Sequence, residues 1–277
     1  MAADVTVVAM TPDLGAEVRG VDLSAPLSDA CFARIRDAFH RYCVIFLRNQ
    51  TLDPRLLARF AARFGDAEAT PLSKQALAGL SQIGVLGERV ETEGCESVYW
   101  HSDRSCEPAP PAATLLYGAH APEGVSTDFV NMYSVFNALN DDQRLLLEKL
   151  RGLHALDWKG VGAPADAAVS QAAGAAQRAA EHPLVRVHPN TGKKALYLGK
   201  DVVSRTAALS AGEARKLLAQ VEAFATQPRF VYSHRWRAGD VLVWDNRCTL
   251  HRMLGSEHAP SRTLYRIWLK GEVPIAA

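Results

Sequence analysis

An antiparallel β barrel or sandwich carrying helical decorations is the fold class this sequence predicts. Helical patterns gather early in the chain, short strand-like pieces surround them, and no regular alternation of strand and helix suggests a βαβ repeat. No internal repeat occurs, and no Ser/Gly/Pro-rich linker or like-charge block divides the chain, so residues 1–277 are read as one domain.

Taken in order, Val5 to Met10 and Ala16 to Leu23 read as strands. A helix follows, with Ser28 as its N-cap, Leu27 and Phe32 as a hydrophobic staple, and Cys31, Ile35, Ala38, Phe39 and Tyr42 at helical spacing. Val44 to Leu47 is a short buried strand. A second helix opens at Asp53-Pro54, buries Leu57, Phe60, Ala61 and Phe64, and stops at Gly65, matching Pro at the first helical position and Gly past the end.

Strand-like pieces dominate from about residue 80 to 132, including Ala112 to Ala119 and Thr127 to Asn131, before a helical pattern returns at Asp141 to Arg151. Residues 160–182 are rich in Ala and Gly and lack the β-branched and aromatic residues of a core element. Segment 155–183 is therefore expected to be a lid or a flexible insertion. Ser210-Ala-Gly-Glu213 is a capping box, and Ala214, Leu217, Leu218, Val221 and Phe224 continue as the apolar stripe of a helix. Phe230 to Trp236 and Asp240 to Trp244 are expected to form a hairpin around Ala238-Gly239. Strands near Thr249 to Arg252 and Thr263 to Lys270 complete the pattern.

Composition narrows the function. With 31 Lys+Arg against 30 Asp+Glu the formal net charge is +1, which argues against nucleic acid or a membrane surface as partner, since both attract basic excess. No stretch approaches the roughly 18 apolar residues of a membrane span, and Met1-Ala-Ala-Asp4 has no basic segment followed by an apolar one, so a cytoplasmic location is expected. Five scattered cysteines without a C-x-x-C pair fit a reducing compartment and disfavour a zinc knuckle. Serine-hydrolase, nucleotide-binding and zincin motifs are missing: Gly79-Leu-Ser81-Gln-Ile-Gly84 has its second glycine one residue late, and Gly160-Val-Gly162 lacks the third glycine and the helix.

Trp100-His101-Ser102-Asp103 is the first chemical signal. Residues two apart on an extended segment share a face, so the His101 imidazole and the Asp103 carboxylate could grip one ion from the same side. Such a pair should arise by chance in about half of chains of this composition. It gains weight from His251, which follows the apolar run Asp240 to Trp244 and a turn, where a second imidazole could reach the same ion. Two histidines and one carboxylate form the facial triad of non-haem Fe(II) oxygenases, which leaves three metal positions open. A keto acid chelating two of them needs a cation for its far carboxylate. Arg262 and Arg266 offer two, on a segment where Arg262, Leu264, Arg266 and Trp268 alternate with Thr263, Tyr265, Ile267 and Leu269. At strand rise the arginines sit roughly 13 Å apart, enough for each to hold a different anion.

Together with Gly20-Val-Asp-Leu23, Val44-Ile-Phe-Leu47, Phe60-Ala-Ala-Arg-Phe64-Gly65 and Gly239-Asp-Val-Leu-Val-Trp-Asp-Asn-Arg247, these residues make the chain closely resemble the taurine dioxygenase family, which includes the dichlorophenoxyacetate and aryloxypropionate dioxygenases. The resemblance covers nearly the whole chain. It implies a mainly β fold with a double-stranded β-helix (jelly-roll, cupin-like) core, Fe(II), 2-oxoglutarate and O₂ as co-substrates, and a homo-oligomer, dimer or tetramer. His101, Asp103 and His251 match the family's iron ligands. Arg262 and Thr127 match its oxoglutarate-binding arginine and threonine, while Arg266 matches the arginine that grips an acidic substrate and Trp244 an aromatic near the metal.

Departures from the family pattern bear on the substrate. An asparagine that contacts oxoglutarate in the taurine enzymes is Ser97 here. The histidine and tyrosine that contact taurine fall at Thr70 and Ser73, which argues against taurine itself. The resemblance thus implies a dioxygenase that hydroxylates a small acidic substrate such as an aryloxyalkanoate, a sulfonate or another carboxylate, often with C–O or C–S cleavage. Two other readings stay open: the same scaffold catalysing desaturation, epimerisation or oxidative decarboxylation, and a non-catalytic jelly-roll binding module.

Overall fold

The computed structural model describes residues 5–70, 76–86, 99–121, 124–155, 179–199, 203–206, 208–254 and 263–277. The fold is mainly β. Among these residues an 8-stranded sheet runs in the order Thr6–Ala9, Ala16–Arg19, Val44–Leu47, Val241–Asp245, Ala113–His120, Thr263–Leu269, Leu80–Leu86, Ala76–Leu77. A 3-stranded sheet, Val231–Arg235, Ser126–Asn131 and Thr249–Leu254, faces part of it.

Period-two alternation divides the interior into two cores on opposite faces of the large sheet. Ile45, Leu47, Leu115, Tyr117, Val241, Val243, Ile267 and Leu269 face one core. Two helices cover that side with Phe32, Ile35 and Phe39 from Asp29–Tyr42 and Leu57 and Phe60 from Pro54–Ala61. Val44, Phe46, Leu116, Leu242, Trp244 and Leu264 face the other core, where they meet Phe129, Tyr232 and Trp236 of the small sheet and its flank. Burying each large side chain contributes roughly 1.5–3 kcal/mol.

Local signals place the helices. Ser28 accepts a bond from the Cys31 N–H, Asp53 from those of Arg55 and Leu56, and Ser210 and Glu213 close the expected capping box. The second helix ends at Ala61, so Phe64 lies in the turn beyond it, its ring 4.9 Å from Phe32. The helix expected to reach Arg151 stops at Glu148, and Arg151 opens the strand Arg151–Ala155. A further short helix, Met132–Ala138, follows Asn131, whose side chain caps it.

Two expectations about pairing need correction. Val231–Arg235 and Val241–Asp245 are not hairpin partners: the first joins Ser126–Asn131, while the second lies between Val44–Leu47 and Ala113–His120. Burial gives the reason. All five residues of Val241–Asp245 are buried, which requires a central strand, whereas Val231–Arg235 alternates and suits an edge. The link crosses between sheets. Gly239 sits at φ +83°, where an added Cβ would lie 3.0 Å from the Gln50 carbonyl oxygen. Asp240 pins the crossing, accepting from Arg48 at 2.6 Å, from the Arg237 N–H at 2.9 Å and from His234 at 3.1 Å. The large sheet is also not wholly antiparallel, because Ala16–Arg19 and Val44–Leu47 run parallel across the helix between them.

The far end of the expected lid is a strand. Ala179–Pro183 pairs antiparallel with Arg151–Ala155, Ala155 facing Ala179 and Arg151 facing Pro183. Residues 156–178 lie outside the described residues. Cys31, Cys43, Cys106 and Cys248 are free thiols, and no helix among the described residues is long and apolar enough to cross a membrane.

The second strand of this pair carries His182, whose ring lies 5.0 Å from that of buried His154. Burial first, and the His182 charge second, push His154 down to about 3. Its unfolded value is about 6.5, so the unfolded chain takes up the proton more readily and stability falls as pH drops from 6.5 towards 3. The thermal midpoint of the apoprotein should therefore fall between pH 7 and pH 4, and less steeply in His154→Phe. Equal slopes in the two proteins would remove His154 from the account.

Candidate metal centre

His101 and His251 face each other across an isolated antiparallel bridge, exchanging backbone bonds of 3.0 and 2.8 Å. The bridge joins the loop entering Ala113–His120 of the large sheet to Thr249–Leu254 of the small one. It sets the two imidazoles 4.3 Å apart, centre to centre. Asp103, two residues beyond His101, turns Oδ1 to both rings, 3.8 Å from His101 Nε2 and 3.4 Å from His251 Nε2. All three side chains are buried, with donor atoms within 4.8 Å of one another. The expected grouping from one side is thus formed.

Each donor is oriented by a neighbour. His101 Nδ1 lies 2.9 Å from the Tyr99 carbonyl oxygen, so Nδ1 carries the proton and Nε2 presents its lone pair to the site. The His251 ring packs against Trp244 at 4.9 Å and stacks on Phe129 at 5.9 Å. Asp103 Oδ2 accepts from the Thr114 hydroxyl and from Trp268 Nε1 at 3.2 Å, leaving Oδ1 to the imidazoles. Asn246 closes the network: its Nδ2 donates to Thr114 Oγ1 at 2.9 Å and its Oδ1 accepts from Trp244 Nε1 at 3.0 Å. Thr114 thus receives one proton and passes its own to the carboxylate.

Electrostatics suit a cation. Burial, then the nearby His251 charge, push His101 down to about 4 despite Asp103, so the imidazole is neutral at pH 7. Burial alone would raise the Asp103 carboxyl, but His251, His101 and the Thr114 hydroxyl together hold it well below the usual carboxylate range. Two imidazole nitrogens and one carboxylate oxygen are a borderline donor set that suits a first-row divalent ion.

A second buried group, His188, Asp245 and Cys248, also gathers its donor atoms within 4.8 Å. There the carboxylate is already saturated, by Arg247 at 2.8 and 2.7 Å and by His188 Nε2 at 2.9 Å. His188 Nδ1 accepts from the N–H groups of Asn190 and Thr191, both at 3.2 Å. With both ring nitrogens and both oxygens in use, this group is an ion-pair network and the first is the metal candidate.

The remaining predicted residues divide. Arg266 lies on the site face of Thr263–Leu269, its guanidinium 3.7 Å from the centre of the Trp268 ring, and its charge contributes to lowering His101. Thr127 is two residues from the register partner of His251, about 7 Å along the strand. Its hydroxyl accepts from Trp236 Nε1 at 2.9 Å, which leaves its proton to donate, and it lines a small cavity with Leu116, Val125, Met253 and Leu264. Thr70 packs over Gly84, the register partner of Arg266. Trp244 is buried with its N–H committed to Asn246, so it offers the site a ring face. Arg262 and Ser97 lie outside the described residues. Sequence reasoning missed Thr114, Asn246 and Trp236, and gave Trp268 no role. A lone threonine inside the apolar run Ala113 to Tyr117 was the available signal for the first.

A family model described as "Taurine catabolism dioxygenase TauD, TfdA family" matches residues 6–268. An alpha-ketoglutarate-dependent sulfate ester dioxygenase of Pseudomonas putida is 33% identical over 275 residues, covering 95% of this chain and 88% of the relative. An alpha-ketoglutarate-dependent 2,4-dichlorophenoxyacetate dioxygenase of Cupriavidus pinatubonensis is 33% identical over 258 residues, covering 87% of this chain and 89% of that one. Among solved structures, a taurine dioxygenase from Burkholderia xenovorans superimposes with a TM-score of 0.84 at 30% identity, covering 98% of this chain and 91% of that one.

Asn246→Ala should leave the buried Trp244 N–H unpaired at a cost of about 1–3 kcal/mol, seen as a lower urea midpoint with an unchanged slope. Because Thr114 loses its ordering partner, Mn(II) affinity should also drop, by about 10–100-fold. A variant matching wild type in both measurements would show that Asn246 is not the hub of the network.

Proposed function

The chain belongs to the taurine catabolism dioxygenase TauD, TfdA family, and on that premise we propose that it couples oxoglutarate decarboxylation to hydroxylation of a small acidic substrate, an alkyl sulfate or aryloxyalkanoate before taurine. It is a 2-oxoglutarate-dependent non-haem iron dioxygenase using Fe(II), 2-oxoglutarate and O₂. We read the two facing sheets as the family's double-stranded β-helix (jelly-roll) core, in a single domain spanning 1–277. Because Ala155 and Ala179–Pro183 belong to paired strands, the candidate lid or flexible insertion narrows to residues 156–178. A cytoplasmic homo-oligomer, dimer or tetramer, stays the expectation, to be measured by light scattering.

The observation that supports this best is the set of three buried donors, two imidazole Nε2 atoms and Asp103 Oδ1, turned to one point while every other atom of the carboxylate is committed elsewhere. In the proposed assignment His101, Asp103 and His251 would hold the metal, a donor set that leaves room for the co-substrates. When bound, Fe(II) with 2-oxoglutarate and O₂ supplies the oxidant and releases succinate and CO₂. Arg262 pairs with the distal carboxylate of oxoglutarate, and the Thr127 hydroxyl, with its acceptor side taken by Trp236, donates to the same anion. Ser97 completes that pocket. Arg266 holds the substrate's acidic group through its planar fork, with Thr70 beside it, while the Trp244 ring walls the metal from water. Hydroxylation at a carbon bearing an ether or sulfate oxygen gives a product that collapses to a carbonyl compound, releasing a phenol or sulfate.

Anaerobic Fe(II) plus 2-oxoglutarate should give a visible metal-to-ligand charge-transfer band, absent in His101→Ala. A folded wild-type protein without the band would sink the assignment. Losing a charge-assisted bond worth about 1.5–3 kcal/mol, Arg262→Ala should weaken oxoglutarate binding roughly 10–100-fold. Arg266→Ala should instead raise KM for the acidic substrate found by screening alkyl sulfates, aryloxyalkanoates and sulfonates for coupled succinate formation. The reverse pattern would exchange the two arginines' roles.

A further inference from the structure

Arg104 closes a ring of contacts that begins and ends at Asp103. It directly follows Asp103, and its guanidinium grips both oxygens of Glu107, Nε at 3.0 Å and Nη2 at 2.5 Å, while Nη1 pairs with Glu68. Glu68 is tied to the large sheet through its backbone N–H, which donates to the Trp268 carbonyl oxygen at 2.8 Å. Trp268 completes the ring: its indole N–H donates to Asp103 Oδ2 at 3.2 Å, and the Arg104 guanidinium stands 5.0 Å from the centre of the indole. The side chains of Arg104, Glu68 and Glu107 are only 16–17% exposed, so solvent screens these pairs little.

Backbone conformation gives the clamp its purpose. Arg104 has φ 49°, in the left-handed region, which costs a residue with a Cβ about 1–2 kcal/mol. An arginine has no short polar side chain to bond its own backbone there, so the surrounding contacts must hold it. Glu107 does so locally, since its N–H also donates to the Arg104 carbonyl oxygen at 3.0 Å. A turn needs no more than that. Glu68 and Trp268 come from remote parts of the chain, and both lead back to the carboxylate. Were φ to relax to the ordinary negative range, the chain would be redirected on either side of Arg104 and the Asp103 carboxylate would turn with it. Resting on the reading of Asp103 as a metal ligand, we propose that Arg104 is a positioning residue. Locked by Glu107 and tied by Glu68 to the strand of Trp268, it fixes the direction of the Asp103 carboxylate and thereby sets the affinity of the site for its metal.

The test titrates Mn(II) into the full-length apoprotein, reading free Mn(II) by electron paramagnetic resonance, with the urea midpoint as a separate measure of folding. Arg104→Gly tolerates φ 49° and loses the clamp. It should stay folded yet bind Mn(II) about 10–100-fold more weakly, as when other partners that orient metal ligands are lost. Glu68→Ala keeps the Glu107 pair and the backbone bond to Trp268 but cuts the ring, and should weaken binding about 10-fold. It decides the matter should Arg104→Gly fail to fold. A ring already cut at one link loses little more when cut at a second. The losses from Glu68→Ala and Trp268→Phe should therefore be non-additive, the double variant binding little less tightly than the weaker single one. Wild-type Mn(II) affinity in a folded Arg104→Gly or Glu68→Ala overturns the proposal, and so do fully additive losses, which would show the two links acting independently. Wild type binding Mn(II) no better than His101→Ala would instead overturn the metal-ligand reading itself, so the two failures are distinguishable.

Discussion

Burying the Asp103 carboxylate without partners would cost several kcal/mol, and the arrangement of both sheets answers that constraint. One oxygen is satisfied from the large sheet, by Thr114 and Trp268 on adjacent strands. The other is left to two imidazoles, one on the loop entering that sheet and one on the small sheet. The backbone bridge between His101 and His251 fixes the separation of the sheets at this point, and Asn246 ties the loop to two strands of the large sheet. His251, Thr114 and Trp268 are consequently placed on strands, where side-chain direction is set by the pleat, while His101 and Asp103 stand on a loop held by the bridge and by Asn246.

The contrast with His188, Asp245 and Cys248 shows what separates a ligand set from a structural network. Both groups are buried, and both gather donor atoms within the same distance. In the second, Arg247 supplies a full countercharge and the carboxylate has no direction left in which to bind. At the first, the hydrogen bonds to Asp103 converge on a single oxygen. Composition and spacing do not distinguish the two, since each has a histidine and an aspartate near a strand end. The difference lies in which partner occupies each lone pair.

Local physics made much of this legible. The caps at Ser28, Asp53 and Ser210 are readable because cap and capped N–H lie within three residues. The face shared by Leu264, Arg266 and Trp268 is readable because alternation is enforced by the pleat, and Leu264 and Ile267 do fall in separate cores. Pairing is a different matter. The apolar run Val241 to Trp244 marks a buried strand, but adjacency to Phe230–Trp236 suggests a hairpin, and only the remote strands Val44–Leu47 and Ala113–His120 show it to be central. The parallel pair and the Thr114–Asn246–Trp268 network were hidden for the same reason. They join residues more than 20 apart, whose meeting depends on register and not on spacing.

A formal charge of +1 argues against polyanionic partners and says nothing of small anions. Under the proposed assignment a divalent ion and two arginines, Arg262 and Arg266, are given to the reactants with one ligand carboxylate, Asp103, so the residues assigned to binding favour organic acids. A dianionic co-substrate and a monoanionic substrate both meet that requirement. Sulfate monoesters and aryloxyalkanoates carry that single charge, whereas taurine brings an ammonium group as well, and the positions where the taurine enzymes place their histidine and tyrosine hold Thr70 and Ser73. A substrate with one negative charge and no ammonium group therefore suits the proposed assignment better than taurine does, because the arginine assigned to it would be opposed by that ammonium.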